Sequence, residues 1–147
     1  MRTFALLYGL VFTLVGLLGF VPGFVAPPDP GHPALAVDGM HGRLLGLFPI
    51  NWVHNLVHLA FGVWGLAASR GWGASRGYAR AVAIIYAVLA VMGLIPGLNT
   101  TFGLVPIHGN DVWLHVALAA GAAYFGWVVR APASAAHGTG RRFDTTR

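Results

Sequence analysis

Two pairs of ionisable residues in this chain share one spacing. His54 and His58 stand four apart in "PINWVHNLVHLAFG" (Pro49 to Gly62), and Asp111 and His115 stand four apart in "PIHGNDVWLHVALA" (Pro106 to Ala119). On a helix, side chains at i and i+4 point the same way, with Cβ atoms about 6 Å apart. Each pair therefore presents two donors on one face. Three imidazoles and a carboxylate, in a chain with no cysteine, form a nitrogen and oxygen donor set suited to zinc, iron(II), manganese or copper(II). The metal candidates are His54, His58, Asp111 and His115. The same residues offer a second cofactor, a b-type haem held axially by His58 and His115. A reading without any ligand is also open. In it His54, Asp111, Asn51, Asn55 and Asn110 cap helix starts and hydrogen-bond between helices, and His58 and His115 are satisfied core histidines. Asp111 suits a cap well, because a carboxylate there meets the positive end of the helix dipole.

The remaining histidines carry less weight. His32 and His41 fall in the first long loop and His108 just before the last apolar run, where solvated imidazoles need no special role. Other chemistry is missing. No glycine-rich loop is followed by lysine, no serine stands beside a base in a recognised motif, and glutamate is absent altogether. No catalytic motif is recognisable. The chain is basic, with nine arginines against four aspartates, but the arginines lie beside apolar runs and form no stripe interleaved with aromatics. Anionic lipid headgroups, and not nucleic acid, are the expected counterpart.

The elements that position the polar pairs follow from hydropathy. Of 147 residues, 56% are hydrophobic and 9% charged, a balance that belongs to membrane proteins. Four apolar runs have about the length that crosses a ~30 Å hydrocarbon core, which predicts helices over approximately 3–21, 51–69, 78–95 and 111–130. The expectation is an all-α fold, a four-transmembrane-helix antiparallel bundle forming one domain over 1–130. A disordered cytoplasmic tail is expected over 131–147, where no apolar periodicity occurs. Arg2, Arg70, Arg76, Arg80 and the arginines after Val129 lie on one side of these spans, and only Arg43 lies on the other. The positive-inside rule then puts both termini in the cytoplasm and the loops 22–50 and 96–111 outside. A multi-pass protein of the inner (cytoplasmic) membrane results. In the first outer loop, "HGRLLGLF" is weakly amphipathic and is expected to form a short helix or a lid.

The chain also repeats itself. "LLGFVPGF" (Leu17 to Phe24) matches "VMGLIPGL" (Val91 to Leu98), and "GLFPI" (Gly46 to Ile50) matches "GLVPI" (Gly103 to Ile107). The same register pairs His58 with His115 and His54 with Asp111. Two tandem helical hairpins entering from one side form a parallel repeat, related by a pseudo-twofold axis along the membrane normal. Small residues follow the histidines at helical spacing, Gly62 and Gly65 in one half and Ala119 and Ala122 in the other. They mark the face that packs against other helices, so the imidazoles should face inward, near the outer end.

The phrases "LFPINWVHNLVHLAFGVWGL", "PIHGNDVWLHVALA" and "LLGFVPG" resemble the bacterial four-helix membrane proteins catalogued as domain of unknown function 4383. The likeness runs from the first span to Val129, and the family's His-Asn-x-x-His and Asp-x-x-x-His patterns fall on His54, Asn55, His58, Asp111 and His115. The resemblance implies membrane residence and no particular reaction. The expected role is an accessory or structural membrane subunit, with the lipid bilayer and a larger membrane complex or a second copy of the chain as its partners. The alternative is a metal- or haem-binding protein with a redox or metal-handling role.

Overall fold

Each apolar run becomes a helix. The computed structural model describes residues 1–131; the expected tail, apart from Ala131, lies outside them. The helices are α1 (Arg2–Leu18), α2 (Trp52–Ala68), α3 (Trp72–Gly93) and α4 (Asn110–Ala123), the last continued by a π-helical turn, Tyr124–Val128. The all-α class and the four-helix count stand. Among the described residues, α3 alone is both long and apolar enough to cross a membrane by itself, and α1 is a shorter apolar helix. A 17-residue helix such as α1 or α2 rises about 26 Å, a little less than the core of a bilayer.

The third helix begins earlier than hydropathy suggests. Trp72 to Tyr78 contains Arg76 and two glycines, yet this stretch is helical because its polar groups have partners. Arg76 Nε and Arg80 Nε both donate to the Gly126 carbonyl, at 3.0 and 2.9 Å. That carbonyl lies inside the π turn, where the wider winding disturbs the regular ladder and leaves an acceptor for side chains. Arg2 Nε likewise donates to the Ser69 carbonyl at 2.9 Å, so one end of the bundle gathers its arginines onto helix-end carbonyls.

The opposite end carries a small antiparallel sheet, β1 (Val25–Ala26), β2 (Gly42–Leu44) and β3 (Phe48–Ile50), in the order β1-β2-β3. "HGRLLGLF" is therefore a β-hairpin and not the expected short helix, with Gly42 opposite Ile50 and Leu44 opposite Phe48. Its turn needs positive φ at Leu45 (54°) and Gly46 (71°), which a helix does not allow. The repeat mates of these residues, Phe102 and Gly103, adopt the same backbone, with φ of 60° and 84°.

α1 packs chiefly on α2 and α3 chiefly on α4, as two tandem hairpins require. The approach is close enough to need glycine. A Cβ at Gly9 would lie 2.6 Å from the Leu66 backbone nitrogen, and one at Gly93 would lie 2.3 Å from the Ile107 carbonyl oxygen. The two hairpins then meet through repeat mates. Phe12 touches Tyr86, with ring centroids 5.4 Å apart, and Phe4 touches Tyr78 at 6.5 Å. Residues related by a twofold axis contact each other only on that axis, so these aromatic pairs mark it.

Gly9→Ala and Gly93→Ala should each cost about 1–3 kcal/mol, because backbone atoms cannot yield to the added methyl as a flexible side chain would. At Gly77, within α3, an added Cβ meets nothing within 4 Å. Gly77→Ala should instead hold or raise stability, since alanine is the better helix former. Thermal unfolding of the three purified variants separates these outcomes.

Candidate functional site

α2 starts at Asn51, whose extended backbone and side chain form a cap. Asn51 Oδ1 accepts from the His54 backbone N–H at 2.9 Å, and its Nδ2 donates to the carbonyls of Val37 and Leu104, both at 2.8 Å. One fully buried amide thus ties the helix start to both long loops, as a cap that also crosses between segments. α4 starts differently. Gly109, at φ 65°, precedes it and supplies no side-chain cap. Asp111 lies inside the first turn, so it is not the cap that its type suggested, and Asn55 is neither a cap nor a cross-bundle donor. Asn110 Nδ2 does bond across, to the Leu47 carbonyl at 3.3 Å.

These starts fix the depth of the ionisable residues. His54 and Asp111 occupy first turns, His58 and His115 second turns, and all four are buried. One ligand atom from each of His54, Asp111 and His115 lies within 4.8 Å of the others. His54 Nδ1 is 3.2 Å from the Pro49 carbonyl. A carbonyl only accepts, so Nδ1 carries the proton and the Nε2 lone pair is free. Metal-binding histidines are oriented in this way, by donation of the second ring nitrogen to a carbonyl. His115 Nδ1 and Asp111 Oδ2 are 3.6 Å apart, too far for a hydrogen bond, and neither has another partner among the described residues. In a tetrahedral ion with bonds of ~2.1 Å the ligands stand about 3.4 Å apart, close to that separation.

His58 does not join this group. Its ring lies on His54, with centroids 4.4 Å apart and planes at 27°, and nearly parallel to Phe12 at 5.9 Å. His115 meets Tyr86, the mate of Phe12, edge-on at 4.8 Å. His58 lines a cleft of about 200 Å³ and His115 a different one of about 220 Å³. The pair expected to hold a haem thus faces two small spaces and not one macrocycle-sized slot.

One grouping escaped sequence reasoning. Asp29, His32, His41, Arg43, His108 and Asn110 line a polar mouth of about 200 Å³ at the sheet end, which also reaches Pro49. His32 and His41 are in ring contact at 4.4 Å, and Arg43 pairs with Asp29 at 2.6 Å. These residues come from separate loops with no helical spacing between them, so no periodic signal could have joined them. The mouth lies above the first turns of α2 and α4, because Pro49 and residues 108–110 line it and also lead into those turns.

One carboxylate and three imidazoles are thus buried inside a four-helix fold whose two halves match. The chain belongs to the family described as "Domain of unknown function (DUF4383)", whose pattern matches residues 2–128. No curated protein and no solved structure matches it.

Burial holds His41 and His108 below the ordinary imidazole value. His32 adds to this at both and His108 adds to it at His41, whereas Asp38 beside His41 and Asp29 beside His108 oppose it. Between those lowered values and about pH 6.5 the unfolded chain binds more protons than the folded one. Stability then rises with pH across that window and is lost on acidification. The melting temperature should fall from pH 7 to pH 5, and the double variant His41→Gln, His108→Gln should show a shallower fall.

Proposed function

We propose that this protein spans a membrane four times and binds one divalent transition-metal ion through His54, Asp111 and His115. The membrane part is supported by an inverted surface. Leu7, Leu10, Leu14 and Leu17 on α1, Val63 on α2, Val88 and Val91 on α3 and Val116 on α4 are 45% to 64% exposed. Asn51, His54, Asn55, Asp111 and His115 are buried. Soluble proteins rarely expose so continuous an apolar band, and ionisable groups within spans face the interior. α4 with its π turn covers 110–128, about 28 Å of rise. The arginines gathered at one end make that end cytoplasmic by the positive-inside rule. Both termini then lie in the cytoplasm and the sheet and histidine mouth lie outside, in an inner membrane if the source is bacterial.

The single observation behind the metal is the set of three buried ligand atoms mutually within 4.8 Å. Asp111 Oδ2 and His115 Nδ1, in two of these three residues, have no partner among the described residues. Leaving such groups unpaired in an apolar interior costs several kcal/mol, and an ion would satisfy both at once. The carboxylate and two imidazoles suit zinc, iron(II) or manganese. The unpartnered donors favour the metal over the accessory-subunit role.

Protein purified in mild detergent, without chelators or imidazole, should contain about one equivalent of a transition metal by elemental analysis. Asp111→Ala and His115→Ala should each reduce it at least tenfold, whereas His58→Ala should retain it. Metal absent from the wild-type protein, even after incubation with zinc or manganese, contradicts the proposal.

A further inference from the structure

The repeat duplicates the space around the polar centre as well as the helices. One cleft opens between α1 and α4 and the other between α2 and α3. Each of the ten residues lining the second has its repeat mate lining the first. Ile85, Tyr86 and Leu89 on α3 correspond to Val11, Phe12 and Val15 on α1. At the inner ends His115 corresponds to His58, and His54 to Asp111. The correspondence includes the polar groups, because His58 lines the first cleft and His115 the second. Both rings are more than nine-tenths buried.

The walls are mostly aliphatic and aromatic, with hydroxyls only from Tyr86 and Thr101 in the second cleft. Val11, which lines the first cleft, is 52% exposed and Ile85, which lines the second, 38% exposed, so each cleft reaches the apolar side surface of a helix. If the helices span a membrane, as proposed above, both mouths face acyl chains and not water. The occupant must then arrive from the bilayer. Volumes near 200 Å³ fall below the roughly 300–1,000 Å³ of clefts that enclose drug-sized ligands. They admit a compact head and leave a tail outside. Charge on that head is disfavoured, because apolar walls penalise any ion, and the Asp111 carboxyl lining the first cleft disfavours an anion further. The head must still meet the imidazole that lines each cleft.

We propose that the two clefts are lateral binding sites for a membrane-dissolved molecule with a compact, uncharged, oxygen-bearing head and an apolar tail. His58 hydrogen-bonds the head in the first cleft and His115 in the second. A metal ion held by His54, Asp111 and His115 occupies the ring that the second site needs and leaves His58 free. The loaded protein therefore binds one such molecule and the metal-stripped protein two.

The test uses radiolabelled 4-decylphenol, with decylbenzene as the same shape lacking the oxygen, on full-length protein in nanodiscs, corrected for uptake by empty nanodiscs. Saturable binding of two equivalents is expected after chelator treatment, with decylbenzene at least tenfold weaker. Val11→Trp fills the first cleft and Ile85→Trp the second, and each should reduce the stripped protein's stoichiometry to one. Leu7→Trp, on the exposed face of α1, controls for folding and should retain both sites. His58→Phe keeps the ring and removes the hydrogen bond, and should weaken the first site about tenfold. Equal binding of decylbenzene, no saturable phenol binding, or stoichiometry unmoved by both tryptophans overturns the proposal. Two sites regardless of metal would leave the clefts standing and count against the ion at His115.

Discussion

Contact between repeat mates across the axis of the bundle is the constraint on which the rest of this structure depends. Phe12 against Tyr86 and Phe4 against Tyr78 hold the two hairpins in one registration. Once that registration is set, whatever lies next along the same faces must also meet near the axis. His54 and Asp111 are mates, and they lie one turn beyond Asn51 and His108, which are mates as well. The polar centre is thus a consequence of pairing two copies of one hairpin, with glycines at the close crossings letting the helices come near enough.

Divergence between the halves then supplies the chemistry. Two identical halves would place four imidazoles at the centre, with no carboxylate to balance a divalent cation. Aspartate at 111 breaks that symmetry and yields a mixed nitrogen and oxygen set. Similar substitutions distinguish the two clefts. Phe12 and Leu44 in the first become Tyr86 and Thr101 in the second, so the second wall carries hydroxyls where the first is wholly hydrocarbon. The symmetric frame positions the groups, and the asymmetric side chains decide what each position can bind.

Much of this was legible in the chain, for physical reasons that can be named. An apolar run of this length exceeds an ordinary strand, so a helix was expected over 51–69, and α2 covers Trp52–Ala68. The i, i+4 spacing, read with the repeat register, brought His54, Asp111 and His115 together. It also included His58, whose ring instead lies along Phe12; stacking preference between neighbouring rings leaves no trace in spacing. The early start of α3 depends on arginines reaching the Gly126 carbonyl from another helix, a tertiary contact invisible to a hydropathy window. The hairpin over 42–50 was missed because amphipathic periodicity over eight residues does not reveal a turn that needs positive φ at Leu45. The histidine mouth joins loops that sequence leaves unconnected.

The central claim is that the pseudo-symmetric halves assemble one metal centre from His54, Asp111 and His115. The most direct measurement is an anomalous difference map at the cobalt edge, from crystals of the full-length protein grown with cobalt(II). One strong peak is expected within bonding distance of His54 Nε2, Asp111 Oδ2 and His115. A map with its peaks elsewhere, for instance on the loop histidines, or an ordered water joining Asp111 to His115 in place of the ion, would contradict it.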